Sequence, residues 1–145
     1  MNKTNLNEIF KSVLEADRAA VVLCDLEHTI VYMNPVAIKR YEKWGGADLL
    51  GKSLLDCHNE HSREMIIKVV NWFQESPENN LVYTFYNQKE NKDVYMVALR
   101  NDSKELIGYY EKHEYRDRET MKMYDLETKG ISDTLYSEKQ SKWLP

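Results

Sequence analysis

The segment Cys57-His58-Asn59-Glu60-His61 concentrates the side chains best suited to chemistry. Thiolate and imidazole are both metal ligands, and a neighbouring imidazolium can activate a cysteine. Cys57, His58 and His61 are therefore the candidate metal ligands. Adjacent Cys57 and His58 point in different directions, and neither His28 nor His113 supplies a fourth ligand by spacing, so a structural zinc set is incomplete. The simpler reading has both histidines forming or capping a loop. Tyrosine is the second feature, with ten in the chain, and Tyr83, Tyr95 and Tyr109 lie with Phe85 in β-prone runs. An apolar ring with a polar tip suits a pocket for a small, partly polar molecule, although aromatic residues favour strands in any case. Asp25, Glu27 and Asp56 are spread through turns. The sequence has no Gly-rich phosphate loop, no Ser-His-Asp set and no carboxylate pair at a telling spacing, so no catalytic residue is assigned and an enzyme is not expected.

These groups must be positioned by elements that can be read along the chain. Leu6, Ile9, Phe10, Val13 and Leu14 fall at helical spacing and make one apolar stripe on an otherwise polar helix. The runs Ala19 to Cys24 and Ile30 to Met33, separated by Asp25-Leu26-Glu27-His28, predict a hairpin. Asn34 caps a helix that begins at Pro35, where the missing amide is not needed. A short helical turn from Ala47 to Leu50 ends at Gly51, and a longer helix from about Ser62 to Gln74 carries Ile66, Val69, Val70 and Phe73 on one face. Three β-prone runs follow, Leu81 to Tyr86, Val94 to Leu99 and Leu106 to Tyr110, which predict an antiparallel meander. Arg118 to Glu127 is expected to extend as a helix with Met121 and Tyr124 on its apolar side. The last residues are mostly polar, with Leu135, Tyr136, Trp143 and Leu144 as large apolar exceptions.

At 145 residues and 42% hydrophobic content, the chain has room for one domain of ordinary size. Two cysteines make no disulfide framework, and Cys24, inside an apolar run, reads as a small core residue, which fits a reducing cytoplasm. No segment approaches the roughly 18 consecutive apolar residues of a membrane span, and the polar opening Met1 to Asn5 has no secretory character. A net charge of −4 with interspersed signs gives no basic stripe, so neither membrane nor direct nucleic-acid binding is expected.

The order helix, hairpin, short helices, meander is an α+β plan, and local sequence narrows it. Ala20 through Pro35, an apolar strand, an acidic turn and a second strand ending in Asn34, resembles the opening of a PAS domain. Gly51-Lys52-Ser53-Leu54 resembles the family's turn after its second helix. Gly51, Cys57, His58 and Ser62 have the spacing of a Cys-His segment in a bacterial PAS subgroup often joined to hemerythrin-like domains, and Val97 to Asp102 with Leu106-Ile107-Gly108 resembles that subgroup's last strands. The resemblance covers about residues 18 to 117.

It implies a PAS fold, a five-stranded antiparallel sheet with short helices on one face, preceded by the amphipathic helix of residues 1–17 and followed by a charged extension, 118–145. It implies a sensory or interaction module with a pocket between helices and sheet, for which Tyr83, Tyr95, Val97, Ile66 and His58 are the expected ligand-binding residues. Some members hold haem through one histidine, which makes His58 or His61 the expected ligand of any haem. Light-sensing members carry a flavin-reactive cysteine near the position of Cys57, but follow it with Arg and Gln, whereas His58, Asn59 and Glu60 follow here. Three readings result: a small-molecule sensor signalling through homodimer or partner contacts, a haem- or metal-dependent redox or gas sensor, and a packed interaction module without ligand. With no kinase, cyclase or DNA-binding region recognisable, the output is expected in a separate signalling protein or in the chain itself.

Overall fold

The computed structural model describes residues 5–135; Met1 to Thr4, and with them Tyr136, Trp143 and Leu144, lie outside the described residues. Two compact units divide the chain, one running to Tyr115 and one beginning at Arg116. The first opens with helix α1 (Leu6–Glu15), whose N-terminus is satisfied by the Asn5 side chain accepting from the amides of Asn7 and Glu8. No residue of α1 is buried, and Leu6, Ile9, Phe10 and Val13 are all exposed.

Strands β1 (Val22–Cys24) and β2 (Ile30–Met33) form the expected hairpin. The Asp25 carboxylate turns the chain by accepting from the amides of Glu27 and Thr29, each at 2.9 Å. Asn34 then does more than cap α2 (Pro35–Arg40). Fully buried, its Oδ1 accepts from the amides of Ala37 and Val21, and its Nδ2 donates to the carbonyls of Leu14 and Ala19. One side chain thus ties the end of α1 to β1 and to the start of α2. Three 3₁₀ turns follow, Glu42–Trp44, Gly46–Leu49 and Leu54–Cys57. The second occupies the place where the sequence predicts a helical turn over 47–50.

Helix α3 (Glu60–Glu75) starts two residues before the expected Ser62, because Asn59 accepts from the Ser62 amide and thereby caps a helix already begun. It buries Ile66, Val70 and Phe73 against the sheet. Burying a side chain the size of Phe73 contributes about 1.5–3 kcal/mol, so these three fix the helix on its layer. Strands β3 (Leu81–Asn87), β4 (Lys92–Arg100) and β5 (Leu106–Tyr115) make the meander, and the five strands form one antiparallel sheet in the order β2-β1-β5-β4-β3. At Gly108 a Cβ would sit 2.3 Å from the Cys24 carbonyl oxygen, so glycine is what lets β1 close on β5. Arg100 pins the end of α3 to the sheet: its guanidinium donates to the carbonyls of Phe73 in the last turn, of the C-cap Ser76 and of Asn79 in the loop beyond.

The second unit corrects the sequence expectation. In place of a helix over 118–127, strands β6 (Lys122–Asp125) and β7 (Gly130–Leu135) form an antiparallel hairpin. An isolated helix of that length is marginal, whereas Asp125 turns the chain by accepting from the Glu127 amide at 3.0 Å and Lys129 takes the positive φ of 54° that closes the turn. Among the described residues, no helix is long and apolar enough to cross a membrane.

Candidate functional site

Successive side chains on a strand point to opposite faces, and the burial of β4 shows which row faces inward: Lys92, Val94 and Met96 are buried, with Asp93, Tyr95 and Val97 on the other side. Register carries this onto β5, where His113 lies opposite Val94 and Glu111 opposite Met96. After Tyr109, the inner row of β5 therefore carries two titratable side chains, Glu111 and His113, before Tyr115 opposite Lys92.

Between this row and the helical layer lie two cavities. One, of about 180 Å³, is bounded by the sheet, α2 and the 3₁₀ turns, with Tyr41, Trp44, Leu54, Cys57, Tyr109 and His113 in its wall. The other, of about 300 Å³, lies between the start of α3 and β3, with His61, Met65, Thr84 and Phe85 in its wall. His58, Ile66, Met96 and Glu111 line both. Phe85 reaches the inner side through a bulge: Tyr83 pairs with Tyr95 on the outside, Thr84 is the extra residue, and Phe85 pairs with the inward Val94.

His58 is oriented by its own turn. Its Nδ1 donates to the Leu54 carbonyl at 2.9 Å, so in the neutral ring Nε2 keeps its lone pair. Burial raises the Glu111 carboxyl above the usual carboxylate range, against the opposing influence of His58 and Lys92. His113 moves the other way, down to about 4, first by burial and then by the cations Lys92 and Arg40. Its Nδ1 is buried without a hydrogen-bond partner. Those cations are themselves engaged: Glu90 pairs with Arg40 and, at 3.0 Å, with Lys92, and the Arg40 guanidinium holds the Glu90 carboxyl down to about 2. The Lys92 side chain is 3% exposed and lies over the Tyr115 ring. Deeper in the core, the Tyr109 hydroxyl shares a 2.7 Å hydrogen bond with His28 Nδ1, and burial pushes the Cys24 thiol up to about 12, so Cys24 stays a protonated core side chain.

Of the ligand-binding residues expected from the sequence, the structure brings together Ile66 and His58. Tyr83, Tyr95 and Val97 line neither cavity: they alternate onto the outer face, where the Tyr83 and Tyr95 rings meet at 5.3 Å and the Tyr83 hydroxyl donates to Asp93. Both rows of β4 are apolar enough to serve as the inner one. Glu111 and His113 went unassigned because the apolar run ends at Tyr110, whereas the ladder with β4 continues to Tyr115. The alternation Tyr109, Glu111, His113 was the signal available.

Cys57, His58 and His61 do not converge; among the described residues no group of three or more His, Cys, Asp or Glu side chains is placed to hold a metal ion. For haem, His58 Nε2 is a suitable donor atom in the wall that the two cavities share.

Comparison with family models and with curated proteins gives no match. Solved structures do match. The C-terminal domain of a protein from Streptococcus mutans is 16% identical, with 75% of this chain and 84% of that one covered and a TM-score of 0.58. The PAS domain of a protein from Colwellia psychrerythraea is 13% identical, with 77% and 97% covered and a TM-score of 0.57. A sensory box sensor histidine kinase from Vibrio cholerae is 12% identical, with 76% and 90% covered and a TM-score of 0.51. At these identities the likeness is one of fold.

Proposed function

We propose a sensory role for this chain, which has the PAS fold: it binds a small molecule in the paired cavities and passes their occupancy on through α1. One observation carries the reading. Glu111 and His113 face apolar-walled space, and among the described residues the buried Nδ1 of His113 has no hydrogen-bond partner. A domain built only to pack would fill that space and satisfy or remove those groups, since unpaired buried polar atoms are costly; titratable side chains perturbed in a cleft mark functional sites. Structures of the same fold include a sensory box sensor histidine kinase, which accords with a sensory role.

The route outward follows from Asn34. It joins the Leu14 carbonyl at the end of α1 to the first turn of α2, and the Tyr41 ring that follows α2 stands in the cavity wall. The exposed stripe of α1 supplies the contact surface for a second copy of the chain or a separate signalling protein. Native mass spectrometry of protein purified from its own host tests the binding half. The expected result is a small bound mass that is lost in Ile66→Trp, whose indole fills the space shared by both cavities. A bare mass, together with higher stability of Ile66→Trp, would instead favour the packed interaction module. A Soret band in fresh protein that disappears in His58→Ala would instead favour the haem-dependent sensor. Sedimentation with and without residues 1–17 tests the output half, with a monomer in both cases counting against a homodimer.

A further inference from the structure

We propose that the ligand is a small organic ammonium ion whose N–H groups meet Glu111 and whose short apolar body lies against Ile66, Met96 and Tyr109. This rests on the cavity reading above and names the class of molecule.

The charges and hydrogen-bonding atoms of the lining decide between classes. Among the described residues, Glu111 is the single carboxyl in the wall of either cavity, and no lysine or arginine lines them. Lys92 and Arg40 are already paired with Glu90. An incoming anion would therefore confront Glu111 with no fixed cation in the wall, the lining histidines being the only groups there that could gain a positive charge, and a carboxylate facing an anion out of bulk water is unfavourable. The hydrogen-bonding inventory points the same way. The Nδ1 proton of His58 is spent on the Leu54 carbonyl, which leaves a lone pair at Nε2 in the neutral ring. With the two Glu111 oxygens, the polar atoms around the dividing wall are mainly acceptors, and an acceptor-rich wall is satisfied by a donor-rich ligand. An ammonium group brings N–H donors and the one charge that neutralises a buried carboxylate. The rings of Tyr41, Trp44 and Tyr109 present aromatic surface to the same space, which attracts a cation and repels an anion.

Size sets the rest. Cavities of about 180 and 300 Å³ have room for a molecule of several non-hydrogen atoms. That is the scale of a short alkylammonium ion.

Calorimetric titration of the full chain near neutral pH with butylammonium chloride, sodium butyrate and 1-butanol separates the classes on one carbon skeleton. The expected result is millimolar or tighter binding of butylammonium, weaker or no binding of the other two, and a loss of roughly ten- to a hundred-fold in affinity for the amine in Glu111→Gln. Butyrate or butanol binding as tightly as the amine, or amine binding unchanged in Glu111→Gln, overturns the ammonium class and leaves the cavity reading standing. If none of the three binds, both fall. Glu111→Gln preserves side-chain shape; should it fail to fold, the same three titrations on the unsubstituted chain and on Ile66→Trp decide, because amine binding that survives Ile66→Trp lies outside the cavities and overturns the proposal.

Discussion

Strands β4 and β5 put Val94, Met96, Glu111 and His113 on one face of the sheet and Tyr95, Val97, Lys112 and Glu114 on the other. The polar groups of the two faces are treated differently. On the outer face Lys112 pairs with Glu114 at 2.9 Å, and the Tyr83 hydroxyl donates to Asp93, all within reach of solvent. On the inner face burial pushes both Glu111 and His113 towards their neutral forms, and among the described residues the His113 Nδ1 has no hydrogen-bond partner. The outer face follows the ordinary economy of a protein surface. The inner face departs from it at the cavities, the pattern expected where stability is given up for a site of the kind proposed above.

The contrast is sharpest for packing. Met96→Ala, which empties a position only 2% exposed, is expected to cost about 2–5 kcal/mol in urea denaturation, whereas Tyr95→Ala on the adjacent outer position should cost less than about 1 kcal/mol. Equal losses would dissolve the distinction between the faces. Next in size is the acid response. The folded value of His113, about 4, lies below its usual 6.5, so the unfolded chain takes up a proton first and stability is lost as pH falls from about 6.5 to 4. The loss is on the order of 3 kcal/mol, and thermal melts across that window should show it reduced in His113→Gln. A slope unchanged by the substitution would place the titrating group elsewhere. Glu111 gives the smallest effect and the opposite sign. Its folded value is raised, so its contribution is fully present below the carboxylate range and is lost as pH rises through the folded value. At neutral pH, Glu111→Gln should therefore raise the melting temperature by a few degrees, and a lower melting temperature would mean that the carboxylate is paired after all.

Much of the fold was legible because it depends on local chemistry. Asn34 followed by Pro35 marks a helix start wherever it occurs, and the stripe Ile66, Val70, Phe73 specifies which side of α3 is buried. The site was less legible because it depends on a choice between two rows of one strand. Tyr83, Tyr95 and Val97 alternate as regularly as Val94, Met96 and Phe85 come to do, and only the long-range register, with the bulge at Thr84, decides which row faces α3. Ile66 and His58 were found because a helix stripe and a pre-helical loop fix their own orientation. Glu111 and His113 were missed because charged residues beyond an apolar run look like the end of a strand. The hairpin of β6 and β7 was missed for the converse reason: its Met121 and Tyr124 can be fitted to a helical period as easily as to a strand.

Whether the inner face is a binding site can be read directly from methionine methyl groups. Met33 and Met96 line the first cavity, Met65 and Met96 the second, while Met121 and Met123 belong to the other unit. Methyl spectra of the full chain, titrated with a pool of small amines, carboxylates and alcohols, should show Met33, Met65 and Met96 moving with at least one class while Met121 and Met123 stay in place. Resonances of Met33, Met65 and Met96 that remain fixed throughout would contradict the account.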